Sequence, residues 1–175
     1  GVEVSTGSLG QGLSIAAGLA AGLKGGEVAE PNLDDRTVFV LLGDGELQEG
    51  QVWEAAMFAA HRGLDNLVAI VDENGLQIDG ACSEVMCLGG IEGKFAAFGW
   101  KTFKVDGHDP SALNEVLSAA RAHRGGPAVV VASTVKGRGV SFMEDNAGWH
   151  GKAPSPEETK RALRQLSRVI EGSGS

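Results

Sequence analysis

The stretch LLGDGELQEGQVWEAA, from Leu41 to Ala56, decides how the rest of the chain reads. An apolar run from Thr37 to Leu42 stops at Gly43-Asp44-Gly45, and two further carboxylates, Glu46 and Glu49, follow closely. The run predicts a buried strand. Gln48 to His61, with Val52, Ala55, Ala56 and Ala59 on one face, predicts a helix that Gly63 ends. A strand, a glycine-bracketed aspartate and a helix are the parts of a parallel α/β unit. Ligands of such sheets gather at the carboxyl ends of the strands.

The same alternation extends outward. Ser14 to Leu23 predicts a helix that packs closely through small residues, and Glu27 to Asp35 a polar loop. Leu67 to Val71 predicts a second strand, Ile91 to Phe98 a short helix, and Trp100 to Val105 a third strand. Pro110 to His123 predicts a helix with Asp109 or Ser111 near its cap. Gly125-Gly126-Pro127 is a turn, Ala128 to Ala132 a fourth strand, and Pro156 to Ile170 a charged amphipathic helix. Apolar strands alternating with helices predict an α/β fold: a parallel sheet with helices on both faces.

The bulk numbers bound the function. The 175 residues suffice for one domain with a core, and a 42% hydrophobic content excludes disorder. A net charge of -8 argues against nucleic acid and against anionic membranes as partners. No apolar run reaches the length of a membrane span. Cys82 and Cys87 lack the partners of a zinc site and read as two thiols in a reducing cytoplasm. The expected organisation is a cofactor domain over 1–154 that begins short of its natural start, a helix over 155–171, and a tail or linker over 172–175.

The chemistry starts at Asp44. Its flanking glycines let a bulky anion touch the backbone, and the following helix offers free N–H groups. A carboxylate beside an anion needs a cation between them, and magnesium takes a carboxylate or two with phosphate oxygens and water. Asn74 lies thirty residues beyond Asp44, one strand–helix–strand unit on, so the two fall at the tips of successive strands. A plain turn at each place is the other reading, and the pair in register favours the ion.

Gly43-Asp44-Gly45 with Asn74 resembles the thiamine diphosphate motif. The blocks STGSLGQGLS, LQEGQVWEAA, DNLVAIVDENGLQIDG and KGRGVSFMEDNAGWHGKAP resemble transketolases from Gly1 to about Pro154, most closely the amino-terminal subunit of transketolases split into two chains. Deoxyxylulose-phosphate synthases share the Gly-Asp-Gly element but not the Leu47-to-Gly50 or Trp149-His150-Gly151 blocks.

The resemblance implies thiamine diphosphate and magnesium, with calcium or manganese as substitutes. It implies transfer of a two-carbon ketol unit between sugar phosphates, as in the pentose phosphate pathway. Asp44, Asn74 and the main-chain carbonyl of Leu76 become metal ligands. Gly43, Gly45 and Gly7 approach the cofactor. Ile78 packs against its bent form, where ordinary core is equally true. Glu49 and Glu54 match a glutamate network across the dimer, against a plain surface role for Glu54. His150 matches a histidine near the diphosphate and substrate, which makes it, with Glu49, a catalytic candidate. Glu46 reads as a solvated carboxylate. Lys136 and Arg138 read as phosphate contacts or as a solvated basic loop, and Asp106 to Asp109 as a turn and helix start.

The family's upstream histidines and its pyrimidine-binding domain, which supplies the glutamate for the aminopyrimidine ring, are not in this sequence. The implied partner is a pyrimidine-binding transketolase chain or domain in a homo- or hetero-oligomer, and this chain alone should be inactive. A dihydroxyacetone synthase, or a non-catalytic binding and assembly module, is the alternative.

Overall fold

A computed structural model describes residues 1–25 and 36–172, with side-chain surroundings as far as residue 167. The expected polar loop at 27–35 and the tail beyond Gly172 lie outside the described residues. The chain runs α1 (Gln11–Gly25), β1 (Val38–Gly43), a 3-10 helix (Gly45–Gln48), α2 (Gly50–His61), β2 (Leu67–Glu73), β3 (Leu76–Gln77) and β4 (Gly80–Ala81). It continues with α3 (Cys82–Val85), α4 (Ile91–Ala97), β5 (Lys101–Asp106), α5 (Pro110–Ala122), β6 (Ala128–Ser133), a second 3-10 turn (Ala147–Trp149) and α6 (Pro156–Gly172).

Four strands form one parallel sheet in the order β1-β2-β6-β5. All four expected strands are present within one or two residues of their expected limits. The hairpin β3-β4 stands apart from the sheet.

The sheet divides the core in two. Side chains alternate between faces along a strand, so Leu42, Leu67, Ala69, Val71, Val129 and Val131 point to α1, α2 and α4. Val68, Val130 and Ala128 point the other way, toward Val116, Leu117 and Ala120 of α5. Helices therefore lie on both faces. Ala16, Ala17 and Ala20 of α1 are buried, as its run of small residues foretold. Aromatic rings seal the larger side: Trp53 and Trp100 each pack 5.2 Å from Phe95, and the Trp100 indole donates to the Ala56 carbonyl at 2.9 Å.

One departure matters for the site. The helix expected from Gln48 is two helices: a 3-10 turn over Gly45–Gln48, and α2 from Gly50. Asp44 caps the first, its side chain accepting from the Gly45 N–H. Asx side chains compete for local N–H groups in this way, and the competition delays the α-helix by two residues.

Candidate active site

Residue pairing puts Gly43 beside Asp72, and the Asp44 N–H donates to the Asp72 carbonyl at 3.2 Å. The tips of β1 and β2 thus meet. Asp44 is the one buried charged residue among those described, 6% exposed. Its Oδ1 accepts from the Gly45 N–H at 2.8 Å, and its Oδ2 from the Gly75 N–H at 2.6 Å. The Cys82 thiol reaches Oδ1 at 3.5 Å. Burial first, then the Asp44 charge, push that thiol up to about 11, so it stays a neutral donor. No Lys or Arg pairs with Asp44 among the described residues. A buried carboxylate without a cation is costly, so this tip is suited to receive one.

Asn74 sits on the adjoining turn. Its Oδ1 accepts from the Leu76 N–H at 3.0 Å, and its amide donates to Asp72 Oδ2 at 3.0 Å. The Thr134 hydroxyl donates to the other Asp72 oxygen, tying β2 to the loop after β6. Gly75 takes φ +75, which an L side chain resists. Gly75 thereby turns its N–H toward Asp44 while Leu76 starts the hairpin. Asp44, Asn74 and Leu76 are brought within one hydrogen-bonded cluster.

Around this cluster the two bracketing glycines differ. A Cβ at Gly45 would stand 2.9 Å from the Cβ of Gln77, whereas one at Gly43 would meet nothing within 4 Å. Packing within the chain explains the glycine at 45. The glycine at 43 faces open space. Gln77 is held in turn by Gln48 at 2.6 Å, and Ile78 projects from the hairpin, 68% exposed, so it is no core residue of this chain.

The other expected residues stand outside this hydrogen-bonded cluster. Gly7 is exposed with open space around it. Glu49 caps α2 with its backbone only and packs against Gly10, where a Cβ would come within 2.8 Å of its own. Glu54 faces outward on α2, and His150 is exposed after the second 3-10 turn. No hydrogen bond of the described residues joins Gly7, Glu54 or His150 to the Asp44 cluster. The first turn of α2 is directed toward α1, where Gln51 bonds Gln11 and Ser14.

Glu46 is a correction. It is not a solvated carboxylate: Oε1 accepts from the Gly10 N–H at 2.9 Å and Oε2 from the Gly43 N–H at 3.2 Å. It staples the start of α1 to the end of β1. Gly10 lies too far back in sequence for spacing to reveal the contact.

A cleft of ≈ 670 Å³ opens at the same end of the sheet, lined by Leu41, Asp72, His108, Thr134, Lys136 and Arg138 among others. His108 was legible only as part of a turn. Asp109 does cap α5, accepting from Ser111 and Ala112. His108 adds a tie: its Nε2 accepts from the Val135 N–H at 2.7 Å, joining the β5 and β6 tips. Its position one residue before a capping aspartate, past a strand end, was the available signal. Lys136 and Arg138 line this cleft and form no ion pair among the described residues.

No three His, Cys, Asp or Glu side chains cluster as metal ligands among the described residues. The oxygens gathered here are the Asp44 and Asp72 carboxylates and the Asn74 amide oxygen, a hard-oxygen set of the kind that suits a cation keeping water and ligand oxygens in its shell.

Comparison with known proteins accords with this geometry. Residues 1–168 match the family described as transketolase, thiamine diphosphate binding domain. The chain is 39% identical over 168 residues to the 6-deoxy-6-sulfo-D-fructose transketolase subunit SqwG of Clostridium sp. (strain MSTE9), covering 96% of this chain and 59% of that protein. It is 42% identical over 166 residues to one of the subunits of the apulose-4-phosphate transketolase of Actinobacillus succinogenes, covering 95% of this chain and 58% of that protein. The crystal structure of Campylobacter jejuni transketolase superposes with a TM-score of 0.83 at 31% identity, over 95% of this chain and 26% of that chain. The chain thus spans under two thirds of the length of the proteins it matches. It carries the buried aspartate, the parallel sheet and the sequence of a thiamine diphosphate-binding domain, and it belongs to the transketolase family.

Proposed function

We propose that this chain forms the diphosphate- and magnesium-binding part of a transketolase, which moves a two-carbon ketol unit from a ketose phosphate to an aldose phosphate. The observation that carries the reading is Asp44: a buried carboxylate with no cationic side chain beside it, next to a glycine that faces open space. Asp44, the Asn74 amide oxygen and the Leu76 carbonyl hold the cation, with Ca or Mn able to replace Mg. Gly43, Gly45 and Gly7 let the diphosphate approach the backbone, and Ile78 supplies an apolar surface to the cofactor rings. His150 contacts the diphosphate end and the substrate. Glu49 and Glu54 face a neighbouring chain.

Thiamine diphosphate supplies the carbon nucleophile of the transfer. The residues of this chain neutralise, orient and enclose it, which is the protein's part in cofactor chemistry. The proton chemistry of the aminopyrimidine ring falls to a pyrimidine-binding chain or domain, so catalysis requires that partner. The compartment is the cytoplasm. No described helix is long and apolar enough to cross a membrane.

Titration calorimetry with thiamine diphosphate tests the reading, on the chain assembled with its partner. Heat should appear with Mg and vanish with chelator. Asp44→Ala should weaken binding by about a hundredfold or more, as loss of one carboxylate from a hard-cation site implies. Equal binding by wild type and Asp44→Ala would overturn it. Absence of heat in the wild-type assembly would favour a non-catalytic assembly module instead.

A further inference from the structure

Helix α6 and residues 138–152 of the loop before it make no hydrogen bond to the Asp44 cluster, and neither core cluster contains a described residue of α6. The helix spends its contacts on the loop. Gln165 Oε1 accepts from the Ser141 N–H at 2.8 Å, and its Nε2 donates to the Ser141 hydroxyl at 2.9 Å. The Arg161 guanidinium lies 4.7 Å from the centre of the Phe142 ring. Leu166 fills the space over Gly139, where a Cβ would meet its Cδ2 at 2.9 Å and where φ is +89.

The loop passes these contacts on. The Trp149 indole donates to the Phe142 carbonyl at 2.8 Å, and the two rings stand 5.5 Å apart. Lys152 places its ammonium 4.1 Å from the Trp149 ring and 3.6 Å from Glu158 of α6. Trp149 precedes His150 and Lys152 follows it by two, so both flanks of His150 are tied to α6 by separate routes. The His150 ring makes no hydrogen bond among the described residues; only its backbone N–H is engaged, to the Ala147 carbonyl at 2.8 Å. Its position therefore depends on how its flanks are held.

We propose that α6 is a clamp that sets the position of His150, and that Arg161 and Gln165 are positioning residues for it. The proposal rests on the reading of His150 as a cofactor contact. Each clamp contact is individually weak, a cation over a half-buried ring and a pair of amide hydrogen bonds. Removing them can free a loop without unfolding a core that does not include α6.

The test uses histidine-selective isotope labelling of the chain, assembled with its unlabelled partner, and NMR of the imidazole signals before cofactor is added. His150→Ala identifies the His150 signal. In wild type that signal should be single and sharp. In Arg161→Ala/Gln165→Ala it should broaden or split while those of His61, His108 and His123 stay put, which reports an intact fold. Thiamine diphosphate affinity with Mg should then fall about fivefold, the equivalent of roughly 1 kcal/mol. The same pair of changes made in His150→Ala should add nothing. Arg161→Lys/Gln165→Glu, which keeps the cation over the ring and the acceptor at Ser141, should restore the signal and most of the affinity. A normal loss in His150→Ala with an unmoved signal and affinity in the double variant would overturn the clamp alone. Unchanged affinity in His150→Ala would overturn the reading of His150.

Discussion

Glu46 shows how one side chain can hold the end of a sheet through main-chain contacts alone. Both its oxygens accept main-chain N–H groups, from Gly10 and from Gly43, and Gly43 is the residue before Asp44. Glu46→Gln keeps one acceptor and sets an amide NH2 against the other donor. A part-buried N–H left unpaired costs about 1–3 kcal/mol. Urea unfolding should show a loss of that size for Glu46→Gln, and a larger one for Glu46→Ala, which orphans both donors. Loss below the error of the measurement in Glu46→Ala would mean water replaces the staple. Gly137→Ala tests the loop after β6 in the same way. Its φ is +74, and a Cβ there would stand 2.6 Å from the Met143 carbonyl oxygen. Backbone cannot yield as a flexible side chain can, so about 2 kcal/mol or more should be lost in thermal unfolding. Asp44 was legible from its neighbours because a bracketed carboxylate at a strand end is a local pattern. Glu46 was not, because its principal partner is 36 residues away in sequence.

Among the elements, the four sheet strands and the helices other than α3 followed from local periodicity, and the cap of α5 from Asp109 before Pro110. The delayed start of α2 did not, because the choice between a 3-10 and an α turn depends on Asp44 accepting from Gly45. The hairpin β3-β4 was missed for a related reason: two-residue strands are too short to show alternation. Helix α1 is fastened at its end by Lys24, which donates to the Gly63 carbonyl and to Asp65 Oδ1, both at 2.7 Å. The hydrogen bond from Lys24, against an opposing effect of burial, holds the Asp65 carboxyl below its usual range. A depressed carboxyl stabilises the fold fully above its unfolded-state pKa, about 3.9, and the contribution is lost as pH falls through the lower folded-state value. Lys24 is 43% exposed, so solvent screening limits the pair to about 1 kcal/mol at most. Lys24→Met should therefore be slightly less stable than wild type at neutral pH, with the gap closing as the pH is taken below 3.8. Urea midpoints measured at neutral and acid pH check this. A gap that stayed constant would assign the effect to the Gly63 contact instead.

At the scale of the whole molecule, the sheet is less evenly covered than its apolar strands predict. Strand β1 stands at one edge of the order β1-β2-β6-β5, and α5 packs over β5 and β6 near the other. Val40 and Leu42 face α1, but Phe39 and Leu41, on the opposite face of the same strand, are 46% and 70% exposed. Parallel sheets are ordinarily buried on both faces, and an open apolar edge is a template for association. Sequence pattern marks a strand as fit for burial, but not which of its faces its own chain covers, since that depends on strand order. The isolated 175-residue chain should therefore self-associate through this face. In sedimentation velocity its average mass should rise with concentration above the 18.0 kDa of one chain. Phe39→Lys/Leu41→Lys, which places charges along the edge strand as natural edges do, should stay at the mass of one chain over the same range with unchanged far-UV circular dichroism. Leu163→Lys, a similar charge on an exposed apolar position of α6, serves as the control and should leave association intact. Concentration-independent mass for the unsubstituted chain would overturn the prediction. Association abolished by the α6 change but not by the β1 pair would move the sticky surface to the helix.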